Sequence, residues 1–311
     1  MATEAPVNAG FLDTITNTFV AALQAGQQTL ATFSLPLLGI LAIISFYAQM
    51  GPLVAGGGAG AGEAIAGMLF TAVRFGVFYF LMLHLTTLAT AAYQTFLQWG
   101  AGGAGGGFST ATFLTPSAMI DLGFANAAGF TDMSNRLSLW GRMTHPLLPW
   151  VYAFAGGLVA LAFAFVALHL MMTIIEYHLA VLVGTVLIPW GVLQPTAFFS
   201  EFSIGWLTGG LVRVLVTGAM VGIGRPLFRD LTPTLTAGGD PTYYSALIVG
   251  IASGIFAILA WVVPGRAAAI AGRGVSLALH GGTLIAGAAG PLRAVITVTS
   301  AIRGISSLLR R

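Results

Sequence analysis

The segment LPWVYAFAGGLVALAFAFVALHLMMTII, residues 148–175, decides the fold. No Asp, Glu, Lys or Arg interrupts it, and the charge-free run extends from Arg142 to Glu176. A helix in a soluble domain needs one wet face, and this segment has none. A hydrocarbon core about 30 Å thick asks instead for roughly 20 apolar residues per crossing. The same absence of charge recurs between Asp13 and Glu63, between Arg74 and Asp121, and between Asp240 and Arg266. The chain therefore reads as an all-α polytopic membrane protein.

Composition agrees. Hydrophobic residues make up 57% of the chain and charged residues 7%, well below the soluble share of about 25%. The apolar runs are long and lack period-two alternation, which argues against a β-barrel. All 12 basic residues are arginines, which excludes a Gly-Lys-Ser/Thr phosphate loop and a Schiff-base lysine. The absence of cysteine excludes disulfides and thiolate metal sites. Glu4 and Asp13 precede the first span without a basic residue, so no positive signal-peptide region is expected there, and the first span should act as its own insertion signal.

Five regions follow from this pattern. Residues 1–30 form an N-terminal segment in which Phe11, Leu12, Ile15, Phe19, Val20, Leu23 and Leu30 share one helical face, opposite Asp13, Asn17, Gln24 and Gln28. Such a helix suits the membrane interface or packing on a partner or on its own protein. Residues 31–99 hold two spans, at 31–50 and roughly 64–98. Residues 100–147 form a central amphipathic region whose Thr115-Pro116 reads as a helix start. Residues 148–264 form the membrane core, with spans at 148–175, 203–223 and 244–264. The stretch 177–200 reads as a re-entrant segment broken by Pro189-Trp190-Gly191 and Pro195, because broken backbone at membrane depth needs a cover other than lipid. Residues 265–311 form a tail carrying Arg266, Arg273, Arg293, Arg303, Arg310 and Arg311 and no acid. The positive-inside rule places that tail in the cytoplasm, where it suits contact with anionic headgroups. Five spans put the acidic N-terminus outside; six spans, with both ends inside, compete.

Small-x-x-x-small spacings at Gly205/Gly209, Gly218/Gly222 and Gly250/Gly254 favour a tightly packed bundle or an oligomer. Arg213, near the middle of its span, costs at least about 2.5 kcal/mol on the insertion scale unless it meets a partner or water. Glu176 and Glu201 are its candidate partners; a tilted helix with a snorkelling arginine explains it equally well. Arg74, nearer a helix end, is expected to snorkel to the inner surface. Chemistry is not expected. The order of His169, Glu176 and His178 does not match a His-Glu-x-x-His zinc helix. Ile251-Ala252-Ser253-Gly254 lacks the Gly-x-Ser-Gly of rhomboid-type proteases, and Ala237-Gly238-Gly239-Asp240 misses the Gly-x-Gly-Asp of presenilin-type proteases. The sequence calls for no catalytic residue, metal or cofactor, and is compatible with bound phospholipid.

The block Leu187-Ile188-Pro189-Trp190-Gly191-Val192-Leu193-Gln194-Pro195-Thr196-Ala197-Phe198, followed by Glu201 and Gly205-Trp206, resembles the core of TrbL-type conjugal transfer proteins, polytopic inner-membrane components of bacterial type IV secretion systems. The stretch from Leu12 to Phe19 is similar to the family's N-terminal helix, and Thr115 to Gly123 to the opening of its central region. The resemblance covers most of residues 11–264. It implies a periplasmic N-terminus, about five spans, a central periplasmic region and a cytoplasmic C-terminus. It further implies a ring, with five subunits as the implied number, at the base of the pilus or stalk. The partners implied are the pilin, a minor pilin-like stalk protein and the inner-membrane secretion ATPases. On that reading the apolar Met119, Ile120 and Leu122 are candidates for docking partner helices. Two other functions stay open: a secondary transporter or small-solute channel, for which broken helices are common, and a scaffold subunit of an unrelated membrane complex.

Overall fold

The computed structural model describes residues 10–54, 61–103, 115–136, 143, 145–236 and 243–273. Among them no strand occurs, and five helices are long and apolar enough to cross a membrane. These are α1 (Gly10–Val54), α2 (Ala61–Gly103), α4 (Leu148–Leu187), α5 (Ala197–Thr236) and α6 (Tyr243–Arg273); the amphipathic α3 (Pro116–Arg136) lies between α2 and α4. The chain is a multi-pass helical membrane protein.

The helices outrun the spans read from hydropathy. The N-terminal segment and the first span are one helix of 45 residues, about 68 Å at 1.5 Å per residue. Pro36 does not end it, as membrane helices tolerate proline when neighbours cover the freed carbonyl. The N-terminal segment is thus not a separate interfacial helix: Leu12 packs on the protein core, and buried Gln27 donates to Thr86 Oγ1 at 2.9 Å. The third span likewise does not stop at Glu176. It runs on to Leu187, so the broken segment shrinks from 177–200 to the two 3-10 turns Ile188–Val192 and Gln194–Thr196. A charge ends a span only where nothing neutralises it, and Glu176 has a partner. At the other end, 265–273 continues α6 past Pro264 and belongs to the bundle, not to a tail.

Two buried clusters organise the packing. One joins α3 and α6 to the first part of α4 through Met119, Phe130, Tyr152, Phe163, Val249 and Phe256, with Val221 from α5. The other wraps the broken segment: Leu38 of α1, Phe78, Met82 and Leu85 of α2, and Tyr177 and Val181 of α4 enclose Ile188 and Val192. Elsewhere the spans leave large apolar side chains exposed, among them Ile43, Phe80, Phe165 and Ile258, as lipid-facing surface requires.

The start of α3 ties this region to α1. Thr115 Oγ1 accepts from the Ala118 N–H at 3.4 Å, while Asp13 Oδ1, from α1, accepts from the Ser117 N–H at 3.1 Å. Ser117 Oγ also donates to Asp13 Oδ2. A side-chain acceptor on the first turn satisfies an amide that the helix cannot. Asp13→Ala should therefore cost about 1 kcal/mol, and Asp13→Asn, which keeps an acceptor, much less. Thermal unfolding of the purified chain in detergent would read both.

Candidate functional site

Pro189 and Pro195 bring no N–H to a helix ladder, and Leu193 between them is extended. The carbonyls around this break need other donors, because no water reaches dry membrane interior. Four successive carbonyls find them. Trp190 O accepts from Thr196 Oγ1 at 2.9 Å, Gly191 O from Arg74 Nε at 2.7 Å, and Val192 O from Ser45 Oγ at 3.4 Å. Leu193 O accepts from the Thr196 N–H at 3.2 Å, leaving the one Thr196 hydroxyl hydrogen to the nearer Trp190 O. Donors from α1, α2 and the segment itself thus replace the missing ladder. Ile188, Pro189, Gly191 and Val192 are buried accordingly.

Arg74 does not snorkel. It is 6% exposed, holds the Gly191 carbonyl, and lies within the electrostatic reach of Glu201 at the start of α5. Gly191 is where the ring of Phe78 presses on the backbone: a Cβ there would overlap that ring and sit 2.8 Å from Ser200 Cβ. Only glycine allows the approach.

Arg213 takes the other acid. Its Nη1 pairs with Glu176 Oε2 across α5 and α4, with the arginine side chain 25% exposed and the carboxylate side chain 48%. Arg213 also lies beside Gly265, where an added Cβ would be 3.5 Å from Nη2. Arg213 lies inside the span Gln194–Gly224 and Gly265 inside Leu247–Gly272, so the pair sits between spans, where an arginine needs the partner that Glu176 provides. Two clefts of about 390 and 750 Å³ open on either side of it, sharing Glu176, Arg213, Gly265 and Ala269.

The glycine pairs divide. Gly205 and Gly209 bring α5 onto α6, where Cβ atoms would stand 2.7 Å from Gly272 O and 2.9 Å from Ala268 O. The matching small pair, Ala268/Gly272, falls in the stretch read as tail. Gly250 meets Ala155 and Leu158 of α4, Gly218 and Gly222 are buried along α5, and Gly254 has nothing within 4 Å.

Met119 is 2% exposed, and Ile120 and Leu122 pack with it on the core beneath α3. Their placement corrects the docking expectation: the apolar face of α3 is already used against α4, and a charge there would break the core. Of the expected headgroup contacts, Arg266 is exposed and Arg273 closes α6; Arg293, Arg303, Arg310 and Arg311 lie outside the described residues. No group of three or more His, Asp or Glu side chains suited to a metal occurs among the described residues.

No curated protein matches the chain at a significant level. A family model, TrbL/VirB6 plasmid conjugal transfer protein, matches residues 42–263. That interval begins within α1, takes in α2 to α5 and the whole broken segment, and ends near Pro264. The block from Leu12 to Phe19 lies outside it. Matched over well more than half its length, the chain belongs to the TrbL/VirB6 plasmid conjugal transfer family.

Proposed function

We propose that the chain is the inner-membrane platform of a conjugative type IV secretion system, forming a ring at the base of the pilus or stalk and supporting pilus assembly and DNA or protein transfer. The observation that carries this reading is the family match, which takes in part or all of every span and makes the chain a membrane component of a conjugal transfer apparatus. In this reading the N-terminus is periplasmic and the C-terminus cytoplasmic. Pilin, a minor pilin-like stalk protein and the secretion ATPases are the partners, the ATPases supplying the energy.

The broken segment favours a scaffold over an alternating-access transporter. A transporter's broken helix uses its freed carbonyls to coordinate an ion, whereas here four consecutive carbonyls are already taken by Ser45, Arg74 and Thr196. Glu176 is paired with Arg213 as well, so a proton- or ion-coupling role has no free acid to start from there. A rigid joint between α4 and α5 suits a part whose task is to hold other subunits in place.

An in-frame deletion, complemented in trans, tests the proposal. Plasmid transfer and surface pili should both fall to background and both return with the gene. Transfer at the parental level in the deletion strain would overturn it.

A further inference from the structure

The smaller of the two clefts beside the Arg213–Glu176 pair carries polar atoms that the protein itself leaves unmet. His169 is 7% exposed and lines this cleft, its ring against Trp261, yet its Nε2 has no hydrogen-bond partner. Arg213 Nε is buried and equally without a partner. Arg266 opens onto the same space. Six buried side-chain N or O atoms among the described residues lack a partner, and these two belong to residues that line one cleft together, which marks it as the place for a ligand.

Its chemistry follows from the lining. Arg213 and Arg266 against Glu176 leave one net positive charge. Arg213 Nε offers a hydrogen to an oxygen, and a neutral His169 can offer another from Nε2. A singly charged oxyanion fits, and phosphate oxygens are the usual match for arginine. The setting fits a lipid. Met172 and Trp261 rim the cleft and are about half exposed, offering apolar surface for acyl chains. Arg266 lies six residues before the end of the α6 span Leu247–Gly272, within snorkelling reach of the headgroup level, while Trp261 lines the cleft at mid-span.

We infer that the cleft between α4, α5 and α6 is a binding site for a phosphate monoanion, supplied by the phosphodiester headgroup of an anionic phospholipid. His169 and the Arg213 Nε contact the phosphate, Arg266 supplies the second positive charge, and Glu176 orients Arg213. This site stands whether or not the chain acts as an assembly platform, and it needs no residue of the broken segment.

The test is native mass spectrometry of the full-length chain in a neutral detergent. Phosphatidylglycerol, phosphatidylcholine and inorganic phosphate are added to separate samples. One phosphatidylglycerol should stay bound per chain, in preference to phosphatidylcholine. Arg266→Gln, at an exposed position that leaves the fold alone, should weaken retention about fivefold. His169→Leu should do so to a similar degree by removing one hydrogen bond. Inorganic phosphate that binds alone and displaces the lipid would support the oxyanion site but name a soluble ion as its source. Equal retention by the parent chain and Arg266→Gln would overturn the site. So would a lipid-free assembly whose subunit number, rather than lipid content, changes in Arg266→Gln, because a second copy would then cover the cleft.

Discussion

Gly205→Val should cost about 3 kcal/mol, at the upper end of what overpacking a close contact does. The new Cβ would meet Gly272 O at 2.7 Å, and that oxygen belongs to the backbone of α6. A flexible side chain could swing away; a helix backbone cannot move without its whole length. The contact also continues one turn on, at Gly209 and Ala268, so tilting about one point does not relieve it. Separation of α5 from α6 is the expected response, with loss of the chain from the membrane by proteolysis. Gly254→Val provides the contrast. It places the same side chain on a neighbouring membrane helix where nothing stands within 4 Å, so its effect should stay within about 0.5 kcal/mol. Thermal unfolding in detergent and the amount of chain in isolated membranes would compare the two. Similar behaviour of both variants would show that the α5–α6 backbone contact is not what holds these helices together.

Arg74→Met should cost about 2 kcal/mol, the usual loss when a buried acceptor forfeits a charged donor. Two effects are mixed in that number, and a second variant separates them. Glutamine places an amide nitrogen where Arg74 has Nε, so Arg74→Gln can still donate to Gly191 O, 2.7 Å away in the parent, while losing the charge that faces Glu201. Methionine fills similar space with neither. The expected order of stability is the parent, then Arg74→Gln, then Arg74→Met, with Glu201 responsible for the first step and the carbonyl for the second. Equal stability of the two variants would mean that the hydrogen bond to Gly191 contributes nothing. Transfer frequency should follow the same order, since a loosened joint between α4 and α5 changes the shape offered to partners.

The membrane class and the five spans were legible because they depend on composition over some twenty residues, and no tertiary contact can rescue a charge-free surface in water. Thr115-Pro116 announced its helix start for a local reason, a cap beside a proline. Helix ends were harder. Glu176 looked like a terminus because charge at membrane depth is expensive, and its partner Arg213 is 37 positions away in sequence. Arg74 looked free to snorkel for the same reason: its acceptor, Gly191 O, is 117 residues distant and on a backbone atom that sequence does not display. Prolines 189 and 195 marked the break, but Ser45 and Thr196 gave no sign that they would cap it. Hydroxyls in apolar helices usually bond to their own backbone, as Thr173 does to His169 O. Met119, Ile120 and Leu122 show the limit of amphipathicity: a pattern says that one face will be covered, and only the fold says by what.

The four capped carbonyls have a consequence for how the chain is made. Synthesis delivers N-terminal segments first, so Ser45 and Arg74 enter the membrane before Trp190 to Leu193 exist. During that interval a guanidinium sits in a helical hairpin with no acceptor, and it is satisfied only when α4 has passed and the chain turns at residues 188–196. The bond from Arg74 to Gly191 O can therefore form only late, once the break has docked. A nascent chain that fails to bring the break against α1 and α2 keeps an exposed intramembrane arginine, the kind of blemish by which membrane quality control can tell an unfinished subunit from one ready to assemble.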